Sequence, residues 1–170
     1  MKQLYLEKSI GIDFQKEITS IALLGKTLRG MELLDYHIWQ SGLNGSEDSE
    51  HQFTANLNDF MKRNGLKNIM GAFCFPRHDI ILKYIDIPTP KKENIKDILE
   101  YEIERHVPLT KNEIYYDFQI IKKREENLYN VLIAVSKKSQ VDHFIDLLKE
   151  ASIIPSLVSL STVSNFNLLS

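Results

Sequence analysis

The sequence predicts a mixed α/β (α+β) fold, and three observations predict it. The first 40 residues alternate short apolar runs with turn residues, the pattern of strands and hairpins. Two later stretches, around 53–61 and 95–106, repeat apolar residues at three- and four-residue intervals, the period of an amphipathic helix. Further apolar runs of strand length flank these helices, so the two kinds of element alternate along the chain. With 170 residues, 43% of them hydrophobic, the chain is long enough for one ordinary domain or two small ones. At that size roughly 70% of the unfolded surface can be buried, so no disulfide or metal staple is needed.

The elements follow in order. Residues 9–14 (SIGIDF) and 18–24 (ITSIALL) are apolar runs split by Gln15, Lys16 and Glu17, and predict two strands around a tight turn. Residues 25–27 (GKT) predict a second turn into a long strand over 28–39, with Leu28, Leu33 and Ile38 among its apolar positions. Together these make a three-stranded antiparallel meander. Residues 40–51 are polar and glycine-containing and predict an exposed loop. A helix then places Phe53, Leu57, Phe60 and Met61 on one face, and Gly65 is positioned to stop it. Residues 67–76 predict a strand buried on both faces.

The second half reads similarly. Residues 79–88 predict a strand closed by Pro88 and Pro90. Residues 91–108 predict the clearest helix, with Ile95, Ile98, Leu99, Ile103 and His106 on one face and Pro108 ending it. Residues 113–121 and 128–136 predict a hairpin around the charged turn KKREEN, 122–127. A helix over 138–151 carries Val141, Phe144, Ile145 and Leu148, and a last strand spans 153–161. Ser161 or Thr162 then caps a new helix in which Phe166 and Leu169 begin to repeat, so the chain is expected to be either a piece of something longer or a shortened member of a larger family.

Charge and composition exclude several function classes. The formal net charge of −2 argues against a general nucleic-acid binder, which carries a basic face. The single cysteine, Cys74, sits between Phe73 and Phe75 with no neighbouring base to activate it, and predicts packing in a reducing compartment. No run approaches the ~18 apolar residues of a membrane span. Glu7 and Lys8 interrupt any signal-peptide core. The expected compartment is the cytosol, with membrane contact only through a partner or through sequence beyond residue 170.

Residues 76–121 are more specific. The strand PRHDIILKYIDIP leads into a helix that ends in E-x-E-x-x-x-P, carried by Glu102, Glu104 and Pro108. Acidic Glu113 follows, then the aromatic strand start Tyr116, Asp117 and Phe118. This block resembles the PilM family, the actin-like cytoplasmic protein of type IV pilus assembly, and its relative GspL from type II secretion. GIDF at 11–14 sits where that family has its first phosphate hairpin, and VLIAVSKKSQVDHFIDLLKEASIIP fits its return to the core. The resemblance covers about 9–165. It implies an actin-like (ribonuclease H-like) core subdomain from residues 1–76 plus 152–170, and an inserted small βαββα subdomain from 77–151.

An actin-like nucleotide site needs two phosphate hairpins, and the resemblance implies that the second half of the site follows residue 170. The first hairpin, Gly11, Asp13 and Gln15, is degenerate. The family has glycine where Gln15 stands, which lets the backbone present its N–H groups to phosphate. Glu17 adds a negative charge, and two like charges ~4 Å apart repel by ~1 kcal/mol even in water. One carboxylate, Asp13, without a cradle is no magnesium site, so no cofactor is expected; ATP with magnesium belongs only to a longer or partnered form. Glu102 and His106 have metal-chelating spacing, but they make only half a zinc site. KTLRG lacks the spaced glycines of a P-loop. Histidines 37, 51, 78, 106 and 143 are scattered, and no catalytic residues are predicted.

Two functions compete. The first is a cytoplasmic scaffold of an inner-membrane pilus or secretion platform, docking the cytosolic tail of a membrane partner, an assembly ATPase, or both. The resemblance implies a docking groove between the core and inserted subdomains, and the aromatic and Arg residues near that junction, Arg77, Tyr101 and Arg105, are the candidate partner-binding residues by their position in the sequence. The alternative is an actin-like ATP-binding protein, an ATPase or kinase missing half its site. Self-assembly as a homo-oligomer or filament subunit is a third reading. Gln15 tilts the chain toward GspL rather than PilM.

Overall fold

The computed structural model describes residues 5–15, 17–40, 47–75 and 77–160, with Arg77 and Leu160 described by backbone alone. In chain order the elements are strands β1 (Glu7–Phe14), β2 (Ile18–Thr27) and β3 (Gly30–Gln40), helix α1 (Glu47–Arg63), strands β4 (Ile69–Phe75) and β5 (Ile80–Pro88), and helix α2 (Ile95–His106). Then come strands β6 (Ile114–Glu125) and β7 (Leu128–Lys137), helix α3 (Lys138–Glu150) and strand β8 (Ile153–Leu160). The expected helix around Phe166 and Leu169 lies outside the described residues. The chain divides into two compact units, Met1–Arg77 with His143–Ser170, and His78–Asp142.

The first unit holds a five-stranded sheet in the order β3-β2-β1-β4-β8. β1 to β3 form an antiparallel meander, while β1 pairs with β4, and β4 with β8, in parallel. Alternation decides which face is buried: Ile10, Ile12 and Phe14 of β1 and Ile21 and Leu23 of β2 all point to one side. The helices meet that side. Phe14 packs its ring against Phe53 of α1 at 5.2 Å and against Phe144 of α3 at 4.7 Å. Phe14 and Phe53 are fully buried, and each such ring contributes about 1.5–3 kcal/mol; Phe144 is half-buried.

Four expectations need correction. The second turn is Leu28–Arg29, not 25–27, and Leu28 is 93% exposed rather than a strand position. The Thr27 hydroxyl nucleates that turn by accepting from the Arg29 N–H at 3.2 Å and donating to the Gly30 carbonyl at 3.0 Å. Gly25 stays within β2 because a Cβ there would meet Tyr5 at 2.5 Å; it marks a close approach, not a turn. Helix α1 reaches back to Glu47, into the segment expected to be loop, with Glu47, Asp48 and Glu50 complementing its N-terminal dipole. Strand β4 is buried on one face only, since Met70 is exposed and Cys74 is half-buried.

Gly65 does stop α1. Its φ of +61° lets the Gly65 N–H reach the Lys62 carbonyl at 3.1 Å and the Leu66 N–H reach the Met61 carbonyl at 2.9 Å, the two bonds of a Schellman cap. Alanine at position 65 is expected to lower stability by about 1 kcal/mol, because L-residues pay that much in left-handed backbone. An unchanged urea midpoint for Gly65→Ala would show the cap to be dispensable.

The second unit is a three-stranded antiparallel sheet, β5-β7-β6, with α2 against one face. Ile95, Leu99 and Ile103 of α2 are fully buried against Ile85 and Ile87 of β5 and Val131 and Ile133 of β7. His106, expected on that stripe, is only partly buried. The β6–β7 turn is Glu126–Asn127 alone, so β6 runs through most of the segment expected to be a charged turn. Two tips of opposite sign make this possible: Arg124 donates to Asp86 of β5 at 3.0 Å, which holds the charged end of β6 in the sheet.

Candidate functional site

The β1–β2 turn carries the first set of candidates. Its backbone is closed by the Gln15 N–H donating to the Ile18 carbonyl at 2.9 Å. The Gln15 side-chain Nε2 also donates to Asp13, at 3.1 Å to Oδ1 and 3.0 Å to Oδ2. Gln15 thus engages both oxygens of the Asp13 carboxylate. Gly11 lies two residues back, opposite Ala22 of β2 and Ala72 of β4, and a Cβ there would meet nothing within 4 Å.

These residues do not fit a triphosphate with its metal. Displacing one exposed amide from Asp13 costs only about 1 kcal/mol, so the clasp alone does not decide it. The donor set does: Gln15 puts a side chain and no free N–H where a cradle needs backbone, Glu17 is exposed beside it, and Asp13 is a single carboxylate. Among the described residues no group of three His, Cys, Asp or Glu side chains gathers.

Helix α2 carries the second set. Tyr101 is 87% exposed, and the Arg105 side chain is 77% exposed one turn further on, on the same face. Arg105 is lightly held by Glu102, with Nη1 donating to Oε1 at 3.2 Å. Glu102 thus has Arg105 as its ion-pair partner. The Arg77 side chain lies outside what the structure describes.

Acidic side chains of α2 that stay exposed also tie the following loop back to the helix. Glu100 and Glu104, four apart on one face, converge on Lys111 beyond the proline: Lys111 Nζ donates to Glu100 at 2.7 Å and the Lys111 N–H to Glu104 at 2.6 Å. The signal is present in the i, i+4 spacing but needs the loop's path to be read. The Thr110 hydroxyl donates to Glu113 Oε2 at 2.7 Å and the Thr110 N–H at 3.0 Å. These bonds, the hydroxyl's first, hold the Glu113 carboxyl below its usual pKa of 4.5. A depressed folded pKa adds stability above the unfolded pKa and loses it as pH falls through the folded value. Carboxyl NMR is expected to show Glu113 titrating below 4.5, and Thr110→Val is expected to move it up. A titration identical in the variant would sink this account of the loop.

The comparisons fit this geometry. The family model described as Type IV pilus assembly protein PilM matches residues 11–166. A solved PilM–PilN type IV pilus biogenesis complex matches with a TM-score of 0.76 at 13% identity, over 95% of this chain and 49% of that one. The cytoplasmic domain of EpsL, an inner membrane component of the type II secretion system of Vibrio cholerae, matches with a TM-score of 0.55 at 12% identity, over 90% of this chain and 57% of that one. At these identities the solved structures show a shared fold, and the chain spans about half the length of each. No curated protein matches it in sequence.

Proposed function

Because the chain belongs to the PilM family of type IV pilus assembly proteins, we propose that it is a docking scaffold at the cytosolic face of an inner-membrane pilus or secretion platform. It holds the cytosolic tail of a membrane partner, the assembly ATPase, or both. The family match over 11–166 carries this reading. The chemistry of the two candidate sets supports it: the hairpin at Asp13 lacks a phosphate cradle, while Tyr101 and Arg105 are residue types that anchor interfaces and stand exposed on one helical face. No helix among the described residues is long and apolar enough to cross a membrane.

The test is amide NMR with synthetic peptides of the cytosolic tails of inner-membrane platform proteins, and with the ATPase. Shifts are expected within residues 77–105, with Tyr101→Ala or Arg105→Ala weakening binding by about 10-fold or more. Spectra unchanged by every platform component end the proposal.

One observation keeps a second reading in view. Gly11 leaves open space beside Asp13, where a small ligand could approach. On that reading the chain is an actin-like ATP-binding protein. Calorimetry with Mg-ATP separates the two: no heat is expected at millimolar ligand, and clear binding lost in Asp13→Ala would favour the nucleotide.

A further inference from the structure

Among the described residues four strands are sheet edges: β3 and β8 in the first unit, β5 and β6 in the second. An edge strand turns the N–H and C=O groups of alternate residues away from its sheet. Native proteins blunt that row with bulges, prolines and charged side chains. Three of the four edges are blunted. β3 carries an extra residue, Leu34, against β2. β8 carries Pro155 and an extra residue, Ser156, against β4. β6 slips twice against β7, at Ile121 and Arg124, among the charges of Lys122 to Glu125.

β5 differs. Its residues Ile80 to Pro88 pair one for one with Ser136 to Leu128 of β7, with no register shift, and its one proline stands at the last position. The middle of the strand is open, with Tyr84 64% exposed and Lys83 and Asp86 also exposed. Side chains alternate across it. Lys83 stands on the face that α2 covers, where its Nζ donates to the His106 carbonyl at 3.2 Å and keeps further N–H groups to give. Leu82, Tyr84 and Asp86 stand on the other face. Asp86 is already paired there, with Arg124 at 3.0 Å and the Asn130 amide at 2.7 Å. The edge therefore offers a cation on one face, and a Leu and a Tyr on the other.

We propose that a partner's cytosolic tail docks on β5 as an extended chain, adding a fourth strand to the β5-β7-β6 sheet. This rests on the docking reading above and names its binding mode. Backbone bonds along β5 supply affinity, and the alternating side chains supply selection. The tail residue opposite Lys83 is a carboxylate, since opposite charges across a ladder stabilise it. Its two neighbours, facing Leu82 and Tyr84, are apolar. A second copy of β5 fits this edge less well. Lys83 and Asp86 are three residues apart and so stand on opposite faces. Antiparallel self-pairing about a two-fold axis opposes residues of the same face, so it never brings that cation to that carboxylate. Centred on Lys83, it would oppose two ammonium groups.

Amide hydrogen exchange of the full chain tests it, with and without synthetic tail peptides of inner-membrane platform proteins that carry an apolar, acidic, apolar triplet. Bound peptide is expected to slow exchange at every second residue between Ile81 and Ile87, by about 10-fold or more. N-methylation along the peptide is expected to weaken binding about 10-fold at alternate positions and little between them, because every second N–H enters the ladder. Lys83→Glu is expected to weaken binding about 10-fold, and a peptide with lysine in place of its acidic residue is expected to restore it. The N-methyl series leaves the protein untouched and covers the case in which Lys83→Glu loosens α2. A peptide that binds while exchange along β5 is unchanged, or that tolerates N-methylation at every position, overturns strand addition and leaves the docking reading standing. Platform tails that all fail to bind overturn it together with the tail-holding reading. Alternate protection already present without peptide, and rising with protein concentration, assigns the edge to a second copy and overturns it as well.

Discussion

Phe73→Ala is expected to lower the stability of the first unit by about 3–5 kcal/mol, the range for deleting a buried phenyl ring. Phe73 is fully buried in the middle of β4, with its ring edge-on to Phe14 at 6.2 Å and tilted against Phe75 at 5.7 Å. Phe75 in turn meets Phe144 of α3 at 4.9 Å, so the ring joins two strands to a helix. The chain's one tryptophan, Trp39, is buried against Phe53 in the same unit and reports its unfolding. A guanidinium titration followed by tryptophan fluorescence should show the loss as a lower midpoint with little change in slope. Phe73→Leu keeps most of the volume and should lose under about 1.5 kcal/mol. Equal losses for Leu and Ala would mean that the specific packing of the ring, and not apolar volume, carries the effect, and would overturn the cavity account.

Much of this core is legible in the sequence because period is a local signal. Phe53, Leu57, Phe60 and Met61 repeat at helical spacing, and all four are buried in α1. Ile95, Leu99 and Ile103 do the same in α2. Turn positions are harder to read, because a glycine can serve a turn or a close approach and only the neighbours decide. Gly25 has the sequence context of the first and is the second, with Tyr5 and Leu34 crowding the space a Cβ would need. Charge runs mislead in the same way: KKRE reads as solvated turn until Asp86, 38 residues earlier in sequence, is found holding Arg124.

The candidate sites are legible as residues but not as partnerships. Gln15 stands out in the sequence for what it removes from a phosphate hairpin. Its amide bonds to Asp13 add a positive role that strand alternation does not state, because Gln15 lies just past the end of β1, where the turn sets the direction of its side chain. Glu100 and Glu104 stay exposed, and both also close the loop after α2 through Lys111, which no local spacing shows. The consequence for docking is a fixed helix. Tyr101 and Arg105 stand on an α2 pinned by its buried stripe on one side and by that loop at its end, so less ordering is left for a partner to supply.

This arrangement predicts that stability and docking separate along one helix. Leu99→Ala is expected to lose about 2–5 kcal/mol, because Leu99 is fully buried against β5 and β7 and its cavity has rigid sheet on one side. Hydrogen exchange should register the loss as weaker protection across residues 78–142, with the Trp39 fluorescence midpoint moving less. Tyr101→Ala, two residues along and facing solvent, is expected to stay within about 0.5 kcal/mol of wild type in stability. If α2 is the docking face, Tyr101→Ala nevertheless loses tail binding, while Leu99→Ala loses it only in proportion to the unfolded fraction. The two variants therefore exchange rank between a denaturation curve and a binding curve. A Tyr101→Ala protein that binds platform tails as tightly as wild type removes α2 from the interface, whatever its stability.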